Sequence, residues 1–232
     1  MHSKKYKNIE SKIDKTKEYS LDKAIELITS NSAAKFDETI ELHLSLGINP
    51  DKSDQQIRGS MVLPNGGIKK RKVAVFVPSK MEKKAKKAGA DLICGEDEIE
   101  EIKKTGKCDF DIAIAHPKAM KKLSKIARIL GPKRLMPTPK NGTVTEDVEG
   151  TIKDLKSGKV FFRNDSGGNI HVAIGKVSWD SKKIKENFNS VIEKLKSERP
   201  SKVKRKNFFQ KVALTSTMGP SVKVNVEYNI PT

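Results

Sequence analysis

The sequence predicts an α/β protein of two domains, one of them discontinuous, and three observations carry that reading. Both ends of the chain hold strands in which apolar and polar residues alternate. The middle holds short continuous apolar runs separated by helical stretches. Turn-forming residues stand at the two places where one style gives way to the other. Alternation belongs to antiparallel sheets with one wet face, and continuous runs belong to parallel sheets covered on both faces. The flanks share a strand style, so they are expected to fold together as residues 1–66 with 159–232, around an inserted α/β domain at 67–158.

The elements follow in order. Ile40, Leu42, Leu44 and Leu46 alternate with Glu41, His43 and Ser45 in a first strand. Leu63-Pro64-Asn65-Gly66-Gly67 then supplies turn residues at the first border. Val73–Val77, Leu92-Ile93 and Ile112–Ala115 read as buried strands, with helices predicted at Lys80–Ala88, Asp97–Lys104, Pro117–Leu130 and Asp147–Lys156. Ser157-Gly158 marks the second border, and two nearby strands crossing there would make a hinge. Phe162–His171 reads as a hairpin with Asn164-Asp165 and Gly167-Gly168 at its tip, leading into a strand with Ile170, Val172 and Ile174. Ile184, Phe188, Val191, Ile192 and Leu195 recur at helical spacing. Val222, Val224, Val226 and Tyr228 alternate with Lys223, Asn225, Glu227 and Asn229 in a last strand.

Charge narrows the function. The 232 residues include 47 Lys and Arg against 29 Asp and Glu, a net charge of +18. Residues 1–67 balance to zero, while 68–158 and 159–232 carry +9 each. Such an excess points to a polyanion, nucleic acid before anionic lipid, since no basic amphipathic helix with bulky apolar residues is evident. Lysine enrichment also serves plain surface solubility, and only seven of the basic residues are Arg, so the excess speaks to affinity more than to specificity. No apolar stretch approaches the roughly 20 residues of a membrane span, and the opening residues lack the pattern of a signal or transit peptide. Two cysteines, Cys94 and Cys108, are too few for a disulfide framework, so a cytoplasmic location is expected.

Catalytic chemistry is missing. No G-x-G-x-x-G or G-x-x-x-x-G-K-[ST] follows a predicted strand, so no backbone cradle for a pyrophosphate is expected. His2, His43, His116 and His171 have no metal-ligand spacing with one another or with the cysteines, which read as buried small residues. Ser79, Ser124 and Ser166 lack a nucleophile-elbow setting. The acids at Glu96–Glu101 suit a helix start. Neither a catalytic residue nor a metal or organic cofactor is expected.

Residues that could hold RNA do stand out. Arg199–Lys211 carries six basic residues and no acid, with Phe208 and Phe209 beside them, either as stacking platforms or as core. Thr215-Ser216-Thr217-Met218-Gly219-Pro220-Ser221 is hydroxyl-rich. Gly219 there would let another backbone come close, and the hydroxyls could meet phosphate and ribose 2′-OH groups. The same residues also fit a plain hairpin turn. Lys35-Phe36-Asp37-Glu38-Thr39 opens the first strand, where Phe36 is either core or a platform beside a basic residue.

At these residues the chain resembles the bacterial large-subunit ribosomal protein L-one family. The matching stretches are KFDETIELHLSLGINPDKSDQQIRGSMVLPNG, ARILGPKRLMPTPKNGTV, SGKVFFRNDSGGNIHVAIGK and TSTMGPSVKVN, in the family's order across nearly the whole chain. The resemblance implies an antiparallel-rich, split β-α-β-like terminal domain with a Rossmann-like insertion on a hinge. It implies binding to large-subunit ribosomal RNA at the mobile stalk, help in releasing deacylated tRNA from the exit site, and repression through the protein's own operon messenger RNA, the chain being a monomer within the ribosome with no membrane partner. Carried over by residue, the RNA contacts would be Lys35, Phe36 and Thr39; Arg163, Asp165, Ser166 and His171; and Thr215, Thr217, Met218 and Gly219. Lys133, Arg134 and Lys140 in a basic loop of the insertion rank behind these. Arg134 stands where the family usually has Gly, at a turn expected to need a positive φ. The rival readings are a nucleic-acid-modifying enzyme, such as a methyltransferase using the α/β insertion, and a nonspecific basic coat on nucleic acid.

Overall fold

The computed structural model describes residues 4–32, 34–66, 68 and 71–226. In chain order the elements are α1 (Lys4–Glu10), α2 (Leu21–Ser30), β1 (Thr39–Leu46), β2 (Arg58–Val62), β3 (Val73–Phe76), α3 (Glu82–Lys87), β4 (Leu92–Cys94), α4 (Glu96–Thr105) and β5 (Ile112–Ala115). They continue as α5 (Met120–Leu123), α6 (Ala127–Leu130), α7 (Val148–Lys156), β6 (Lys159–Arg163), β7 (Asn169–Lys176), α8 (Ser181–Ser197), β8 (Phe209–Ser216) and β9 (Val222–Lys223). The chain divides into two compact units, residues 1–68 with 160–232, and residues 69–159. The fold class is α/β, with an antiparallel sheet in the first unit and a parallel sheet in the second.

The first unit is built on a four-stranded sheet of order β7-β1-β8-β9, antiparallel at every pairing. Strict alternation in β1 buries Ile40, Leu42, Leu44 and Leu46 on one face. Ile170, Val172, Ile174, Val212 and Leu214 join them from the neighbouring strands, and α2 and α8 close over this face. Helix α2 offers a stripe of Leu21, Ala24, Ile25 and Ile28, and it starts where Ser20 Oγ accepts the Lys23 N–H. Helix α8 brings Ile184, Phe188, Val191, Ile192 and Leu195, all 0–1% exposed. Each such side chain contributes about 1.5–3 kcal/mol on burial. Asn187 is the one polar residue in that stripe, and its amide is fully used. Its Nδ2 donates to the carbonyls of Ile174 (2.7 Å) and Asn65 (2.8 Å), and its Oδ1 accepts the Asn65 N–H (2.9 Å).

In the second unit three parallel strands lie in the order β4-β3-β5. Ala74, Phe76, Cys94, Ala113 and Ala115 face Ile99 and Ile102 of α4 and Leu123, Ile126 and Leu130 of the segment after β5. The intervening residues Val73, Val75, Ile112 and Ile114 are buried on the opposite face, where α3 and α7 pack. Burial pushes the Cys94 thiol up to about 12, so it is inert packing.

Two expectations need correcting. The predicted helix Pro117–Leu130 is a chain of short α and 3-10 turns, with Ser124 Oγ donating to the Lys121 carbonyl and competing with the regular ladder. The predicted hairpin Phe162–His171 is also different. β6 pairs with β2 in a separate two-stranded sheet, whereas β7 pairs with β1. Asn164 causes the parting. Its backbone N–H donates to the Ile57 carbonyl (3.0 Å) and its Oδ1 accepts the Ile57 N–H (2.8 Å), holding β6 to the β2 side. The last strand is observed at Val222–Lys223, and Val224 continues it by bridging to Tyr19. Residues 227–229 of the expected strand, His2 and Gly67 lie outside the described residues.

Candidate nucleic-acid interface

The face of the four-stranded sheet turned away from α2 and α8 is polar and open. The register sets its residues in three rows. Asn169, Ser45 and Lys211 lie across one end, His171, His43 and Ala213 across the middle, and Ala173, Glu41 and Thr215 toward the other end. All are half-buried or exposed, in contrast to their buried sequence neighbours.

One end of this face gathers Lys35, Phe36, Thr39, Thr215, Thr217, Met218 and Gly219. The β8–β9 hairpin carries the Thr217-Met218 turn back against the start of β1. There Thr217 Oγ1 accepts the Thr39 N–H (3.0 Å) and donates to the Thr39 carbonyl (3.4 Å). Thr39 Oγ1 accepts from Lys176 Nζ (2.9 Å), and Thr215 Oγ1 donates to the Gly219 carbonyl (3.2 Å). Phe36 and Met218 are 56% and 61% exposed, so the large apolar groups flanking this hydroxyl cluster face solvent instead of the core.

The residue that organises this end is Glu38, which reading the sequence as a contact list misses. It is 1% exposed. Its carboxylate accepts from Ser32 Oγ (2.6 Å), the Met218 N–H (2.9 Å) and the Ala34 N–H (3.2 Å), and Ser216 adds a further hydrogen bond. Burial opposes its ionisation, but the bonds from Ser216, Ser32 and the two backbone N–H groups outweigh that and hold its pKa below the usual value. One buried charge thus ties Ser32 and Ala34 to the 216–218 turn. The signal in the sequence is an acid at a buried position of an otherwise regular alternation: Glu38 precedes a half-buried Thr39 and points with Ile40 and Leu42.

Gly219 has a use inside the turn. A Cβ at this position would overlap Ser216 Oγ, the hydroxyl that serves Glu38. The turn itself therefore requires glycine here, since Ser216 Oγ stands where a side chain would begin.

The opposite end of the face carries the Asp165–Gly168 turn, where the Leu46 N–H donates to the Gly168 carbonyl (3.1 Å). Eight residues of β1 separate the two ends by roughly 23 Å at about 3.3 Å per residue. Asp165 Oδ1 accepts the N–H groups of Gly167 (2.8 Å) and Asn169 (2.7 Å), and Oδ2 accepts from Asn169 Nδ2 (3.1 Å). The Asn169 N–H and then its side chain hold the Asp165 carboxyl below its usual pKa. Asp165 is therefore an internal organiser that also faces His171 Nε2 at 3.6 Å, while Ser166 and Arg163 project into solvent. His171 lies between the two ends, opposite His43.

Phe208 is 1% exposed and belongs to the core, the second of its two readings, with the half-buried Phe209 ring tilted against it at 4.7 Å. In the second unit, Lys133 Nζ donates to the Gly106 carbonyl (2.6 Å), Lys140 is exposed, and Arg134 adopts φ 58°, the only positive φ of a non-glycine among the described residues. Among these residues no group of three or more His, Cys, Asp or Glu could hold a metal ion, and no helix is long and apolar enough to cross a membrane.

An open, hydroxyl-bearing sheet face on a strongly basic chain is the kind of surface a nucleic-acid-binding protein presents. Residues 28–220 match the Ribosomal protein L1p/L10e family, and the chain belongs to that family. It is 46% identical over 224 residues to the large ribosomal subunit protein uL1 of Thermosipho melanesiensis, spanning 97% of this chain and 96% of that protein. It is 47% identical over 223 residues to uL1 of Kosmotoga olearia (96% of each) and 46% identical over 222 residues to uL1 of Mycoplasma capricolum (96% of this chain, 97% of that protein). The protein is thus a structural ribosomal protein of the cytoplasmic ribosome and not an enzyme, which sets aside the methyltransferase reading.

Proposed function

We propose that the chain is a constituent of the large ribosomal subunit that binds ribosomal RNA of the mobile stalk through the open face of its terminal unit. The observation that carries this is the end built on Glu38. A buried, fully hydrogen-bonded carboxylate fixes two segments distant in sequence so that Phe36 and Met218 stand exposed beside the Thr39, Thr215 and Thr217 hydroxyls. Rigid hydroxyls suit ribose 2′-OH groups, and exposed apolar groups suit the flat faces or sugar edges of a folded RNA. The same face would accept a similar fold on the protein's own operon messenger, giving repression, and the stalk position would let the chain assist release of deacylated exit-site tRNA. Lys133, Arg134 and Lys140 of the 69–159 unit add charge to the complex rather than selectivity.

The test is a double substitution, Phe36→Ala with Met218→Ala, in the full chain. Both side chains are more than half exposed, so stability should change by no more than about 0.5 kcal/mol each. Affinity for a stalk fragment of large-subunit ribosomal RNA should fall at least tenfold, with little change on a random duplex. Equal losses on both ligands, or no loss, would remove this end of the sheet from recognition.

A further inference from the structure

His43 and His171 sit directly opposite on β1 and β7 in the middle row of the open face. Their rings meet edge to face, with centroids 4.8 Å apart and Nδ1 to Nδ1 2.6 Å. Two neutral acceptors cannot approach that closely, so one Nδ1 must carry the hydrogen. The surroundings decide which. His43 Nε2 is buried with no hydrogen-bond partner and lies 3.7 Å from Glu41 Oε2, which favours N–H at that nitrogen and leaves His43 Nδ1 as the acceptor. His171 is then the donor, and its Nε2 lies 3.6 Å from Asp165 Oδ2. A second hydrogen there makes His171 an imidazolium held between a neutral ring and a carboxylate.

We propose that His43 is a positioning residue of the RNA face: it accepts from His171 Nδ1 and holds that ring, charged, toward a phosphate of bound RNA. The inference rests on the RNA-binding reading given above. The charged and titratable groups that face the pair are Glu41 on β1, Asp165 in the turn before β7 and Lys211 on β8, one row away beside Ser45. Glu41 and Asp165 supply a carboxylate to each outer nitrogen, and the row opposite on β8 presents only Ala213 at the pair itself. Burial, then the nearness of His171, keeps His43 below the usual histidine pKa, which suits an acceptor that stays neutral when the pair takes up its proton. Bound phosphate favours the protonated pair, so RNA affinity must rise as the solution is acidified. A second proton, on His43, removes the acceptor and breaks the pair.

The experiment has two arms on the full chain. In the free protein, side-chain 15N spectra should show His43 as the Nε2–H tautomer and the shared hydrogen on Nδ1 of His171. The reverse assignment overturns the proposal. In the second arm, affinity for the stalk RNA fragment is measured from pH 8 to 6 for wild type and for His43→Phe, which keeps a ring and removes the acceptor. Wild type should bind severalfold more tightly at pH 6, and the variant should lose most of that gain. Superimposable pH profiles overturn the role of His43 while leaving the RNA reading intact. A wild-type chain that shows no preference for the fragment over random duplex overturns both.

Discussion

Glu38 is buried with four hydrogen bonds to its carboxylate, and glutamine at this position would turn a donor group toward donors. Glu38→Gln is expected to cost about 2 kcal/mol at pH 7. The sign of the pH dependence follows from the depressed pKa. The ionised group contributes stability above its ordinary value of 4.5, and that contribution is lost as pH falls through the lower folded-state value. Denaturant unfolding at several pH values should show a wild-type decline on acidification that the variant lacks in part. Thr217→Val keeps the shape and removes the hydroxyl that serves both backbone groups of Thr39. It should lower stability by about 1 kcal/mol, and RNA affinity with it, because the hydroxyl sets the turn that presents Met218. Arg134 at φ 58° bears a left-handed cost of about 1–2 kcal/mol, partly offset by the smaller unfolded-state freedom of Arg. Arg134→Gly should therefore raise the unfolding temperature of the second unit measured by calorimetry. An unchanged or lower temperature would show that the turn carries no strain.

The elements that sequence made legible are those with strong periodicity. The alternation Ile40–Leu46, the apolar runs at 73–77 and 112–115 and the stripe of α8 are all dictated by one buried face, and each is observed where the pattern puts it. Phe188 is the centre of that stripe, and Phe188→Ala should destabilise the first unit by about 3–5 kcal/mol by opening a cavity under the sheet. Less legible were features that depend on a single polar contact between distant segments. Turn residues at 164–168 look like a hairpin tip, but the bonds from Asn164 to Ile57 send the two strands to different sheets, and nothing local encodes Ile57 as the partner. Likewise, an acid ahead of a strand reads as surface until the fold brings Ser32, Ala34, Ser216 and Met218 around it. The candidate contact residues lie in the family's motifs. Their division between the two ends of one sheet face, with the histidine pair between, comes from the register.

For the whole molecule, charge and shape have separate tasks. The excess of +18 lies equally on residues 68–158 and 159–232, so a purely electrostatic binder would track phosphate without choosing a sequence or fold. Selectivity on this account belongs to the neutral hydroxyls and exposed apolar groups of one sheet face, whose contacts release no counterions. Salt should therefore weaken all binding while leaving discrimination in place. The most direct measurement is competition between a stalk fragment of large-subunit ribosomal RNA and a random duplex of equal length, on the full chain, from low to moderately high salt. A preference for the fragment of a hundredfold or more that persists as both affinities fall is the expected result. Equal affinity for the two ligands at every salt concentration would contradict the account.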